Sequence, residues 1–100
     1  MANATGTLQL QYNYPVDIRE NMSVTCEETS QTESILQMVN ESTSNEALIV
    51  VQVGSTSEQI TIAPNTAEPN TIVRNFKGSK LNVINVSTRP ATVKVTLRNT

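Results

Sequence analysis

Apolar and polar positions alternate most regularly over residues 70–99. Three runs follow one another there, with these positions on a shared face: Ile72, Arg74 and Phe76, then Leu81, Val83 and Val86, then Val93, Val95 and Leu97. Because successive side chains of a β-strand point to opposite faces, each run predicts a strand. Gly78 and Pro90 mark the turns between the runs. The last run predicts a half-buried antiparallel strand.

A second regular alternation lies near the start of the chain and ends at Pro15. One face carries Leu8, Leu10, Tyr12 and Tyr14, and the other carries Thr7, Gln9, Gln11 and Asn13. We expect the small and polar residues 1–6 to be flexible. A strand behind such a leader can pair within its own domain or add to the sheet edge of a neighbouring subunit. We therefore divide the chain into a connector arm, residues 1–15, and a domain, residues 16–100.

The intervening chain also consists of short runs separated by polar segments. In chain order these are a charged connection or outer strand at residues 16–20, strands at residues 21–27, Ala47–Val53 and residues 58–63, and loops at residues 41–46 and 64–70. Ala47–Val53 is the most apolar run and predicts a central strand buried on both faces.

Residues 31–40 fit two structures. A capping-box pattern, Ser-Gln-Thr-Glu, precedes apolar residues with helical spacing, which supports a helix over residues 31–39. We favour a strand, Glu33–Asn40, because the other runs all read as strands. The strands then recur about every ten residues, which is typical of a β-sandwich. The predicted fold is all-β: a single jelly-roll or Greek-key β-sandwich of about eight strands with an extended N-terminal arm.

Composition limits the classes of function. A chain of 100 residues forms one domain, and its 37% hydrophobic residues include only three aromatics, so the core must consist mainly of Val, Ile and Leu. Seven basic and nine acidic residues are spread along the chain, which predicts no basic face for nucleic acid. A membrane-spanning helix needs about 18 or more consecutive apolar residues, and no apolar run approaches this length. The first residues lack the pattern of a secretory signal peptide.

Few residues suggest chemistry. The absence of His excludes a Ser-His-Asp triad and a His-ligated zinc site, and a lone cysteine excludes a thiolate cluster. Glu27 and Glu28 would point to opposite faces of a strand. A calcium site from Glu41, Asn45 and Glu46 is conceivable but lacks the Asp-rich spacing of such sites. We therefore predict no catalytic, metal or cofactor-binding residues, and no enzyme.

Cys26 allows two interpretations. Met22 and Val24 alternate with it, so it is most simply a small buried hydrophobic residue. The other interpretation is a reactive thiol or an intermolecular disulfide, because no second cysteine is present in the chain.

Residues 71–76, 81–83 and 91–98 together resemble the C-terminal half of the endospore appendage (Ena) subunits of spore-forming bacilli. The shared pattern is Val-Arg-x-Phe within an alternating strand, a polar loop, and a last alternating strand with Thr-Leu near its end. The resemblance implies a jelly-roll subunit that stacks into long fibres on the spore surface. It also implies assembly in the mother cell without a signal peptide, with an anchoring protein and a tip protein as possible partners.

In that family an N-terminal connector engages neighbouring subunits. Carried over to this chain, the inter-subunit residues would be Thr7, Leu8, Gln9, Leu10, Gln11, Tyr12 and Tyr14. Better-known members carry cysteines in the connector, whereas residues 1–14 here contain none. The resemblance therefore implies a cysteine-poor branch held by non-covalent strand addition.

Two other classes of function fit a small β-domain with an arm. One is a viral or phage structural protein, such as a decoration or tail module. The other is a monomeric carbohydrate- or matrix-binding sandwich, which we rank last because such modules use exposed Trp or Tyr as stacking platforms. This chain has no Trp, and both of its Tyr residues lie in the arm.

Overall fold

The computed structural model describes residues 7–64 and 70–100, so the predicted flexible leader and most of the loop at 64–70 lie outside the described residues. The described residues form nine strands, and none of them lies in a helix that could span a membrane. The strands are β1 (Thr7–Gln9), β2 (Val16–Ile18), β3 (Ser23–Cys26), β4 (Glu33–Asn40), β5 (Ala47–Val53), β6 (Thr56–Ile62), β7 (Asn70–Asn75), β8 (Leu81–Asn85) and β9 (Val93–Asn99).

Strands β2 to β9 pair as nested antiparallel couples: β2 with β9, β3 with β8, β4 with β7, and β5 with β6. The chain is thus one long hairpin whose tip is the turn at Gly54 and Ser55, where Gly54 has a φ of 58°. Rolling this hairpin gives a four-stranded sheet, β2-β9-β4-β7, and a five-stranded sheet, β1-β3-β8-β5-β6. This arrangement is a jelly roll, as the sequence predicts.

The two sheets enclose one apolar core. The core residues are Leu10, Ile18, Val24, Cys26, Leu36, Met38, Ala47, Ile49, Val51, Ile62, Phe76, Leu81, Val83, Ala91, Val93, Val95 and Leu97. Phe76 follows β7 and is 1% exposed, and it is the only aromatic residue in this buried set. Aliphatic residues therefore supply most of the core, as the composition predicts.

Two buried asparagines join the sheets at strand ends. Asn85, the last residue of β8, donates from Nδ2 to the carbonyl of Ile18 at 3.0 Å and to that of Ala91 at 2.8 Å. Asn40, the last residue of β4, donates to the carbonyls of Asn45 and Ile62. In each case Nδ2 reaches a carbonyl of a strand in the opposite sheet, which satisfies backbone groups where the ladders end.

Strands β4 and β2 agree with the sequence predictions, whereas the burial of β5 does not. The strand Glu33–Asn40 is confirmed, and the alternative helix over 31–39 is wrong. Residues 16–20 contain an outer strand, β2. The prediction that β5 is buried on both faces is wrong, because Leu48 and Val50 are only partly buried on the outer face of their sheet.

The three C-terminal runs are strands, but they are not neighbours in one sheet. β7 pairs with β4, β8 lies between β3 and β5, and β9 lies between β2 and β4. Val93, Val95 and Leu97 are fully buried, as predicted for a half-buried strand. Val86, assigned to the second run, lies beyond β8 and is 37% exposed.

Candidate assembly site

The described part of the predicted arm begins with β1, which forms one edge of the five-stranded sheet. It pairs in parallel with β3: Thr7 with Ser23, Leu8 with Val24, and Gln9 with Thr25. The other strand pairs of the described chain are antiparallel. A parallel pair needs a connection that leaves the sheet and returns. Here that connection crosses to the four-stranded sheet and includes β2.

Leu10 anchors this segment in the core. Its N–H donates to the carbonyl of Thr25 at 2.7 Å, which continues the parallel register by one step and places Leu10 opposite Cys26. The Leu10 side chain is 2% exposed, whereas that of Leu8 is 38% exposed. Burying a leucine side chain contributes about 1.5–3 kcal/mol, so Leu10 supplies most of the apolar gain.

Tyr12 attaches the segment to the other sheet. It forms an isolated parallel bridge with Leu97 of β9, next to which Asn13 N–H donates to the Leu97 carbonyl at 2.7 Å. The Tyr12 hydroxyl accepts a bond from Ser30 N–H at 2.8 Å and lies 2.8 Å from Ser34 Oγ. One side chain thus binds a loop and strand β4 at the same time.

The chain then reverses in a tight turn before β2. Asn13 has a φ of 73°, in the left-handed region, and Tyr14 N–H donates to the Gln11 carbonyl at 3.3 Å. The Tyr14 side chain is 65% exposed. Pro15 follows at the end of the turn. Gln11, Asn13 and Tyr14 of this turn are exposed, and Asn13 has a conformation that non-glycine residues rarely adopt.

The structure gathers β1, Leu10 and Tyr12 on one flank of their own domain and leaves Gln11 and Tyr14 exposed. The prediction of one unbroken strand over residues 7–14 is wrong, because the chain leaves the first sheet after Leu10 and meets the second at Tyr12. We call residues 7–13 the N-terminal segment. Its predicted contact with a second subunit stays a prediction.

Sequence reasoning missed the serines that bind Tyr12. Ser34 is 0% exposed and lies at an inward-facing position of β4, on the same face as Leu36 and Met38. A polar residue on the apolar face of a strand needs a hydrogen-bond partner, and that is the available signal. Ser30 contributes only its backbone N–H to Tyr12, so no side-chain pattern could have marked it.

The opposite flank carries the outer strands β6 and β7. Arg74 of β7 and Glu58 of β6 form an ion pair of 2.9 Å between the two sheets, with both side chains almost half exposed. Val73 of β7 is 54% exposed, more than Leu8 and Val86, the other large aliphatic residues that are exposed among those the structure describes. This flank therefore ends in two sheet edges, one of which carries an exposed aliphatic side chain.

The described residues hold no cluster of three or more His, Cys, Asp or Glu that could bind a metal ion. Glu41 lies 3.8 Å from Lys94 and beside an open polar groove of about 680 Å³. Partial burial is the largest cause that raises the pKa of the Glu41 carboxyl. A hydrogen bond with Asp17 and repulsion from Asp17 raise this pKa further, whereas Lys94 lowers it. Asn45, suggested as a calcium ligand, instead donates from Nδ2 to the Pro90 carbonyl.

Cys26 is a buried free thiol, in line with the simpler interpretation of its position. Burial raises the pKa of the thiol, and repulsion from Glu27 and Glu28 adds to this effect, while a backbone hydrogen bond at Glu28 opposes it. A raised pKa lowers the thiolate fraction and hence the reactivity.

No protein-family model, curated protein or solved structure matches the chain significantly. The fold assignment therefore rests on the strand order and pairing described above.

Proposed function

We propose that the protein is a self-assembling structural subunit of an extracellular, pilus-like fibre, an endospore appendage of a spore-forming bacillus. Polymerisation occurs when the N-terminal segment of one subunit inserts into the sheet of a neighbour. The partners are further copies of the chain, with an anchoring protein and a tip protein at the fibre ends. The subunit has no catalytic role, binds no nucleic acid and does not insert into a membrane.

The observation that carries this proposal is the attachment of the N-terminal segment. Three paired residues in β1, one buried leucine and one tyrosine join it to the sandwich. Ordering the backbone costs about 1–2 kcal/mol per residue, which is comparable to the gain from Leu10 and the hydrogen bonds. The net gain from docking is therefore only a few kcal/mol, so the segment can leave its site without unfolding the jelly roll.

The segment donated by one subunit and the acceptor on the next are two different surfaces, which supports an open assembly. A contact between two different surfaces of identical subunits is heterologous, and such contacts generate filaments unless the rotation closes a ring. The geometry thus suits a fibre better than a symmetric dimer.

A viral or phage structural protein is the second candidate, because jelly rolls also build viral capsids. Such a virion protein uses the same combination of a compact sandwich and a segment that reaches a neighbour. The two candidates differ in the assembly formed: open filaments favour the fibre subunit, and closed rings or shells favour the virion protein.

A sedimentation assay on full-length protein and variants tests the proposal. We expect wild-type protein to form pelletable assemblies, and Leu10→Asp to remain soluble because its buried site would have to desolvate a charge. Leu8→Asp should also impair assembly, and removal of residues 1–14 should abolish it. Thr88→Asp is the control, because Thr88 is exposed and lies outside the segment. Far-UV circular dichroism verifies that each variant is folded.

If the protein lacking residues 1–14 still forms fibres, the N-terminal segment is only an intradomain strand. The proposed mechanism would then be wrong.

A further inference from the structure

We infer that the acceptor for a neighbour's N-terminal segment is the site that each chain fills with its own segment. Assembly would then proceed by strand exchange, and the monomer described above is its closed, self-complemented state. This inference rests on the proposed function and adds to it the identity of the acceptor and the step that precedes assembly.

The acceptor site offers a defined set of groups. The carbonyls of Thr25 and Leu97 accept from Leu10 and Asn13. Ser30 N–H and Ser34 Oγ bind the Tyr12 hydroxyl. The edge of β3 pairs with β1. The groups that hold the segment therefore all belong to residues 23–97.

A second copy of the chain presents the same segment, so it can make each of these contacts unchanged. Domain swapping of this kind has a low free-energy cost because the bonds that are broken within one chain reform between two. It also keeps Leu10 buried and the polar groups around Tyr12 paired.

If the segment were added to β6 or β7 of a neighbour, the bonds that are broken within one chain would not reform between two chains. This addition would leave the site beside β3 vacant, with the Leu10 cavity empty and the partners of Tyr12 unpaired. Water would then meet the apolar surface that Leu10 covers, and Ser34 Oγ would lose its partner, and both changes are unfavourable. In a filament formed by exchange, a neighbour's segment fills the acceptor site of every subunit except the terminal one.

The turn at residues 13–15 has the properties of a hinge for this exchange. Asn13 has a φ of 73° in the closed monomer, and opening the turn allows it to become extended. Tyr14 precedes Pro15, and a residue before proline prefers an extended backbone. Short hinge loops under strain favour domain swapping.

The hinge also limits the distance between subunits. Three extended residues span about 10 Å at most. The donor and acceptor sandwiches must therefore lie in direct contact, with the hinge crossing their interface.

A single substitution distinguishes exchange from insertion elsewhere. Leu10 lies opposite Cys26 across the β1–β3 pair, so Leu10→Cys places two thiols within the range for a disulfide. We assemble this variant under reducing conditions, oxidise it with copper phenanthroline, and analyse the pelleted and soluble fractions by denaturing electrophoresis without reductant. Leu8→Cys is the matched control, because Leu8 pairs with Val24 and lies two residues out of register with Cys26.

Exchange predicts that the pelleted fraction gives a ladder of covalent multiples of 10.9 kDa, while the soluble fraction gives monomers with an internal disulfide. Monomer oxidised before assembly should lose the ability to pellet, and reductant should restore it. A pelleted fraction whose subunits carry no disulfide between chains or within a chain would overturn strand exchange and leave insertion at another site of the neighbour intact. A pelleted fraction of internally bonded monomers, or assembly of the locked monomer, would overturn both exchange and the proposed insertion mechanism.

Two further outcomes have defined meanings. If Leu10→Cys does not assemble although the wild type does, a second variant combines Gln9→Cys and Thr25→Cys with Cys26→Ser. Because Gln9 and Thr25 are paired, this variant gives the same readout with Leu10 intact. If the wild type does not assemble, the fibre proposal fails. Exchange is then judged by oxidising concentrated Leu10→Cys protein: disulfide-linked dimers support it, and their absence overturns it.

Discussion

The hydroxyl of Tyr12 lies 2.8 Å from Ser34 Oγ and thereby connects the N-terminal segment to the middle of the four-stranded sheet. The same hydroxyl accepts the N–H of Ser30. Ser34 is fully buried, so its hydroxyl depends on this contact more than an exposed serine would. Tyr12 is therefore the polar counterpart of Leu10 in holding the segment.

Replacing Tyr12 by Phe should lower the free energy of unfolding by about 1–2 kcal/mol, because Ser30 N–H and Ser34 Oγ lose a partner. Urea denaturation of the soluble monomer measures this change. Tyr14→Phe is the control and should change stability by less than about 0.5 kcal/mol, since Tyr14 is 65% exposed. Equal effects of the two substitutions would show that the Tyr12 bonds do not form in solution.

Leu10→Ala should destabilise the monomer by about 2–5 kcal/mol, because it leaves a cavity beside the core. Leu8→Ala should cost less than about 1 kcal/mol, because Leu8 is already 38% exposed. Hydrogen exchange adds a local test: the amides of Leu10 and Asn13 should exchange faster in Leu10→Ala while those of β9 change little. A larger loss of stability for Leu8→Ala would contradict the placement of the segment.

Asn85→Ala should lower the free energy of unfolding by about 3 kcal/mol or more. The substitution removes the donor for the Ile18 and Ala91 carbonyls and the acceptor for Ser87 N–H in a fully buried site. Asn82→Ala is a suitable comparison, because Asn82 bonds to Thr25 and Gln52 but is only partly buried. It should cost about 1 kcal/mol. Similar losses for both variants would contradict the role of Asn85 in joining the sheets.

The raised pKa of Glu41 predicts a pH dependence of stability. The folded protein holds the Glu41 proton more tightly than the unfolded chain, so the contribution of this group to stability falls as the pH rises. The fall begins near the ordinary glutamate pKa of about 4.3 and ends above the raised folded value. Across this interval the stability of the wild type should decrease relative to Glu41→Gln. A constant or increasing difference in thermal denaturation would contradict this prediction.

The sequence predicts the strands of this fold better than their partners. A period of two identifies which side chains share a face, as for Val93, Val95 and Leu97, but any strand with such a face can pair with several others. The nested pairing that places β8 between β3 and β5 depends on long-range packing, so the order of the C-terminal runs does not reveal it.

The N-terminal segment shows the same limit at the candidate site. Its alternation predicts one strand, but two different sheets receive its two halves. The chain crosses between Leu10 and Tyr12 at an edge of the sandwich where both sheets are within reach of one chain. The local alternation of apolar and polar residues contains no information on that edge. In the sequence, the only sign of the role of Ser34 is a polar residue on an apolar face.

Electron microscopy of full-length protein tests the central claim most directly. Purified protein is concentrated without any partner and imaged by negative stain. The account predicts open-ended filaments of uniform width, which the Leu10→Asp variant does not form. A field of uniform monomeric particles from the wild type at every concentration would contradict self-assembly through the N-terminal segment.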